Sequence, residues 1–211
     1  MRGTSHVVFG LAGAVLIANI PPYIAGPSLL SAPVTIDLTA EKVIFYGFAA
    51  LGALAPDIDN ARSALGQRLG LISKGLQHLT GHRTFFHSLL GLAIVGLVVW
   101  AAQYALGLTL YNLGLKLTGE ALSTGLNPNG AFIASGVGIA FGGLMIGYFL
   151  HLVADSLTLE GVPWLWPYKV YFGFPPDRHL RFRTGSVWEP IIVVAISVVV
   201  IAAVVFGKIG V

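Results

Sequence analysis

The sequence predicts an all-α fold: a polytopic transmembrane helical bundle of about five membrane segments, forming a single integral membrane domain over residues 1–211. Three observations predict it. Hydrophobic residues make up 55% of the chain and charged residues only 10%, against about 25% charged in a soluble domain. A soluble fold of this size has too little interior to hide so much apolar surface. The stretches 85–110, 131–153 and 187–207 reach the ~20 apolar residues needed to cross the hydrocarbon core. Basic residues, finally, concentrate in alternate connections rather than being spread evenly.

The first segment, 6–20, follows a single Arg and has the length of a signal-sequence core. Pro21 and Pro22 follow it in place of a small-residue cleavage site, so it reads as a retained helix, capped by Thr4 or Ser5. The second segment, 43–56, is also short. It could reach back to Glu41, and the first could run on to Ile24; otherwise their ends lie inside the interface. The connections 21–42 and 108–130 are rich in Pro, Gly, Ser, Thr and Asn, whereas 57–84 and 154–186 are basic.

With five spans, the N-terminus shares a side with the two basic connections. That side holds Arg2, Arg62, Arg68, Lys74, Arg83, Lys169, Arg178, Arg181 and Arg183; the other holds Lys42, Lys116 and Lys208. Positive charge marks the cytoplasmic side, so the sequence predicts a multi-pass protein of the inner or plasma membrane with a cytoplasmic N-terminus and an external C-terminus. Trp164, Trp166, Tyr168, Tyr171 and Trp188 fall in or beside the last cytoplasmic connection, as an interfacial aromatic belt does. The formal net charge of +3 is too small to indicate nucleic acid as a partner. The bilayer is the partner the composition implies, and oligomeric state leaves no mark on it.

On that map the ionisable residues converge. His6 starts segment one. Asp57 and Asp59, in PDID, end segment two. His82 and His87, in GHRTFFHS, start segment three. His151 and Asp155, in HLVAD, end segment four, and Glu189 opens segment five. Each segment thus delivers a metal-ligating side chain to the cytoplasmic plane, although the orientation came from Lys and Arg alone. His151 and Asp155, at i and i+4, lie one above the other on a helix face. Asp57 and Asp59 straddle a helix end, where a turn can aim both inward. His82 precedes Thr84, read as a cap, and His87 follows it in the first helical turn. The chain has no Cys, so any metal is held by His, Asp and Glu, a donor set suited to Zn, Mn or Fe. Seven good donors exceed one tetrahedral ion's needs, which allows one or two ions, and two can clamp a phosphoester.

Taken singly, these residues have plainer readings. His6 would be an interfacial hydrogen-bonding residue, and PDID a cap and turn. His78 and His179 have no partner motif and are expected in water. Ionisable groups gathered at membrane depth default to function. A metal-dependent hydrolase fits, with Asp57 or Asp59 acting on water and Arg83 meeting phosphoryl charge; its interfacial depth suits a lipid-like or other phosphoester substrate. A non-catalytic scaffold with a structural metal is the alternative. A transporter fits less well, because no strong acid or His lies mid-span.

The run APDIDNARSALGQRLGLISKGLQHLTGHRTFFHSLL resembles the YdjM family of inner-membrane-associated metal-dependent hydrolases. HLVADSLTLEGVPWLWP is similar to that family's second signature, with SHVVFG and RFRTGSVWE as shorter matches. The resemblance touches all five segments and implies His6, Asp57, Asp59, His82, His87, His151 and Asp155 as functional residues, with Glu189 after them. Asn60 departs from the pattern, since some relatives carry His there. The order of His and Asp is also distantly similar to zinc-dependent phospholipase C and P1-type nucleases, which implies phosphodiester chemistry.

Overall fold

The structure, a computed structural model, describes residues 1–18, 40–80, 84–112, 136–168 and 170–207. Every regular element among them is helical. The α-helices are α1 (Gly3–Ala18), α2 (Ala40–Gly52), α3 (Ala64–Leu69), α4 (Leu71–Thr80), α5 (Leu89–Asn112), α6 (Gly136–Ser156) and α7 (Trp188–Gly207), with 3₁₀ turns at Ala55–Asp59, Phe85–His87 and Arg178–Leu180. Among the described residues β-structure is limited to isolated bridges, Thr158 to Phe182 and Val162 to Phe172, inside the α6–α7 connection.

Apolar stretches and helices correspond, but their ends differ for local reasons. Segment 43–56 divides, because Pro56 cannot continue an α-helix: α2 stops at Gly52 and a 3₁₀ turn carries PDID. Segment 85–110 also divides. Thr84 makes no capping bond, and His87 sits in its own 3₁₀ turn rather than in the first turn of a helix. Ser88 is the residue that caps α5, its Oγ accepting from the Gly91 N–H at 3.0 Å. α1 begins at Gly3, so Thr4 and Ser5 lie inside it instead of capping it. Of the described helices, Val137–Ser156 is long and apolar enough to cross a membrane alone; Gly3–Ala18, Leu89–Ala105 and Trp188–Val204 are apolar but shorter.

α6 occupies the middle, packed on α1, α2 and α5, while α7 packs on α1. Small residues let α2 and α6 approach almost to backbone contact. A Cβ on Gly143 would collide with the Phe45 carbonyl oxygen, one on Gly147 with that of Ala49, and one on Gly52 with that of Leu144. This spacing of glycines four apart is the usual device of helix pairs in lipid, where close van der Waals contact replaces the hydrophobic drive. The opposite faces are apolar and exposed: Leu90, Ile94, Leu97 and Val98 on α5, and Ile191, Val194, Val198 and Val199 on α7. Burial of each such side chain away from water is worth about 1.5–3 kcal/mol. Two such rows facing water would be a heavy loss; facing lipid they cost nothing.

Candidate metal centre

Six buried His and Asp residues at one end of this bundle come from four elements. α1 supplies His6, the first 3₁₀ turn Asp57 and Asp59, the second His87, and the last turn and a half of α6 His151 and Asp155. All six are buried, and His87, His151 and Asp59 are fully so. His6, Asp57 and His151 form one group whose donor atoms lie within 4.8 Å of each other; His87, His151 and Asp155 form a second, and His151 belongs to both.

The packing of α2 on α6 fixes how His151 is presented. Its Nδ1–H donates to the Ala53 carbonyl at 2.7 Å, which leaves the Nε2 lone pair free to point into the cluster, as a second partner does for most metal-binding histidines. His151 Nε2 stands 3.3 Å from His87 Nε2. Two donors bound at 2.0–2.1 Å in a tetrahedron are about 3.3 Å apart, so the spacing suits a shared ion. The remaining approaches agree. Asp155 Oδ2 is 3.7 Å from both His87 Nε2 and His151 Nε2, Asp57 Oδ1 is 3.8 Å from His87 Nε2, and His6 Nε2 is 3.3 Å from Asp155 Oδ1. Such separations are long for hydrogen bonds and short enough for one cation to bridge. His6 stacks on His151 with ring centroids 3.6 Å apart, and its Nε2 faces the Asp155 carboxylate. The donor set therefore fits a divalent metal.

The two carboxylates of PDID differ. Asp57 faces the Nε2 side of His87, with the other donors, whereas Asp59 Oδ2 lies 3.5 Å from Nδ1 on the far side of the same ring. A 3₁₀ turn advances 120° per residue, so side chains two apart diverge, and these two embrace His87 from opposite sides.

Glu189 is also buried, but it stands in neither donor group. One carboxylate oxygen accepts from the Arg2 N–H at 2.5 Å and the other from the Gly185 N–H at 2.6 Å. It ties the start of α7 to the start of α1. The Met1 amino group beside this tie donates to Asp155 Oδ1 at 2.5 Å. His82 and Arg83 lie outside the described residues. His78 and His179 are exposed, as expected. Two supports escaped sequence reasoning: the Ala53 carbonyl, and Tyr148, whose hydroxyl donates to the Phe86 carbonyl at 2.7 Å and steadies the turn carrying His87. Tyr148 lies three residues before His151, on the same face, which is the only signal it gives.

Comparison with known proteins agrees with the signatures in the sequence. Residues 1–209 match the family described as YdjM inner membrane protein. The chain is 41% identical over 177 residues to inner membrane protein YdjM of Escherichia coli (strain K12), covering 83% of this chain and 70% of that one, and equally to inner membrane protein YdjM of Shigella flexneri. Uncharacterized protein YvsG of Bacillus subtilis (strain 168) is 27% identical over 197 residues, 93% of this chain and 90% of that one. No solved structure matches. With nearly its whole length matched, this chain belongs to the YdjM inner membrane protein family.

Proposed function

We propose that the chain is a membrane-embedded, metal-dependent hydrolase of phosphoesters working at the cytoplasmic interface. The observation that carries the reading is the pair of buried donor groups joined at His151. His6, Asp57, His87, His151 and Asp155 would hold one or two divalent ions, Zn being the first candidate for this donor set. Such an ion supplies Lewis acidity and lowers the pKa of a bound water. Asp59 stands 3.5 Å from Nδ1 on the far side of the His87 ring, and the Ala53 carbonyl fixes the His151 ring by accepting from its Nδ1–H. Asp57 keeps the most solvent access of the buried carboxylates facing the donors, so it is the group placed to accept a proton from an arriving water. Arg83, four residues before His87 in the chain, is assigned to charge on the phosphoryl oxygens.

The same reading includes five spans with the N-terminus cytoplasmic. The lipid-suited faces of α5 and α7 support it. So does α4, which exposes Leu71, Ile72 and Leu79 beside Lys74, the pattern of a helix lying on an anionic leaflet. Reporter fusions at Gly75 and after Val211 should report opposite sides; the same side for both removes the five-span arrangement.

A second reading, a closed structural metal, draws support from the near-complete burial of the donors, since catalytic sites keep an open position. Metal analysis of purified protein followed by a phosphoester screen with and without chelator separates the two. Bound metal with chelator-sensitive turnover supports the hydrolase. Bound metal with no turnover on any phosphoester class leaves the structural role.

A further inference from the structure

An open pocket of about 290 Å³ lies between the end of α6 and the connection that follows it, lined by Val153, Leu157, Trp164, Phe172 and Phe174, with Ser156 and Gly173 completing it. Asp155 belongs to the metal centre and Ser156 to this pocket, so one helical turn serves both on adjacent faces. Ser156 is the lining residue with a side-chain hydroxyl, and that hydroxyl is already committed. It donates to the Leu152 carbonyl at 2.9 Å and accepts from Trp164 Nε1 at 3.0 Å. The Ser156 carbonyl accepts from the Phe174 N–H and the Phe172 carbonyl from the Val162 N–H. A ligand entering here meets aromatic and aliphatic walls and little that can bond to a polar atom, so the part that enters must be apolar.

Charge lies at its edge. The lining at Gly173 abuts the Arg181 guanidinium, which a Cβ at that position would strike. Arg181 is held by donating to the carbonyls of Pro175 at 2.6 Å and Pro176 at 2.9 Å. Phe174 and Phe172 on the wall are themselves exposed, as are Leu165 and Val170 on the same connection, a surface suited to the interface of a bilayer. We propose that this pocket takes the hydrocarbon chain of an anionic amphiphile whose phosphate end is presented to the metal centre, making the substrate a phosphorylated lipid or other long-chain phosphoester. The volume is at the small end for ligand sites, enough for part of a chain rather than a whole lipid. The substrate role rests on the hydrolase reading; the binding role does not.

The test is quenching of tryptophan fluorescence by bromododecyl phosphate, with the protein in phosphatidylcholine nanodiscs. Bromine quenches on contact, and comparison with Trp164→Phe isolates the Trp164 signal. Saturable quenching of Trp164 is expected, displaced by dodecyl phosphate at lower concentration than by dodecanol. Val153→Phe or Leu157→Phe, each filling the pocket, should weaken it about tenfold while metal content stays at the native level. Quenching that does not saturate, or that is unchanged in both filled variants, overturns the proposal. Trp164 quenching without phosphoester hydrolysis leaves the pocket standing and removes the hydrolase reading. Hydrolysis of a water-soluble phosphoester without Trp164 quenching does the reverse.

Discussion

Gly147 lies one turn before His151 on α6 and faces α2, and adding a single methyl group there tests how the metal centre is built. The Cβ of Gly147→Ala would collide with the Ala49 carbonyl oxygen, a backbone atom that cannot rotate away, whereas ordinary Cβ contacts lie at 3.4–4 Å. α2 and α6 must therefore separate by an ångström or more. The Ala53 carbonyl, on the turn directly after α2, moves with it, and its 2.7 Å bond to His151 Nδ1 stretches out of hydrogen-bonding range. Leaving that buried pair unmade costs about 1–3 kcal/mol. Loss of a group that orients a metal-binding histidine typically lowers affinity about 10–100-fold, which is the same energy expressed at the ion. Chelator competition on purified protein measures it. Gly142→Ala on the same helix is the control, because a Cβ there meets nothing within 4 Å. Native affinity in Gly147→Ala, or equal losses in both variants, would refute the chain of reasoning from helix packing to histidine orientation.

Three further outcomes follow from the geometry. Asp57→Asn should lose metal, since Asp57 faces the shared donors. Asp59→Asn should keep metal stoichiometry with affinity or turnover down about 10–100-fold, and the opposite ranking would exchange their roles. His151→Ala and Asp155→Ala should bind little or no metal while His78→Ala and His179→Ala, at exposed positions, bind it normally; equal loss in all four would point to unfolding and remove support for the assignment. Glu189→Gln should lower thermal stability by about 1–3 kcal/mol, because a charged acceptor of two backbone N–H groups is weakened, with metal content of the folded fraction unchanged; loss of metal without loss of stability would make Glu189 a ligand after all.

How much of this was legible depends on the range of the contact. The all-α architecture follows from the apolar runs, and the His151–Asp155 pair from helical spacing, because both are local. The gathering of His6, Asp57 and His87 around that pair was legible through the topology the sequence predicts, in which helix ends on one side of a membrane share a plane. What escaped is what side chains do within that plane. Pro56 forces a 3₁₀ turn, and only that geometry separates Asp57 from Asp59. Ser88 outcompetes Thr84 as the cap of α5, which detaches His87 from the helix and lets its ring turn inward. Glu189 was placed correctly at the start of α7, but acidic residues there also serve backbone N–H groups, and sequence does not say which partner is nearer. The Ala53 carbonyl could not be found at all from residue types, since every residue has one; only the glycines that bring α2 against α6 select it. Whether each apolar helix crosses a bilayer is likewise set by its ends: among the described residues Val137–Ser156 reaches the length that crossing takes, while Gly3–Ala18, Leu89–Ala105 and Trp188–Val204 are apolar but shorter.

The last prediction comes from where the donors originate. α1, two separate 3₁₀ turns and α6 each contribute to one cluster, so an ion bound there would cross-link four elements across more than 140 positions of chain, from His6 to Asp155. Without an ion, the same cluster brings three imidazoles and two carboxylates together in a buried space, where donors 3.3–3.8 Å apart make poor hydrogen bonds with one another. Binding to the folded state and not to the unfolded one must then raise stability by RT ln(1 + [L]/Kd), about 4 kcal/mol at a thousandfold excess over Kd. Thermal unfolding in detergent, followed with and without chelator and after adding back Zn, Mn or Fe, reads this directly. A large drop on chelation, reversed by one ion more than the others, is expected, and it should shrink in His151→Ala. The shift belongs to the ion itself and is the same whether the site hydrolyses phosphoesters or only staples helix ends, so an unfolding curve indifferent to chelator would remove the metal centre from both readings together.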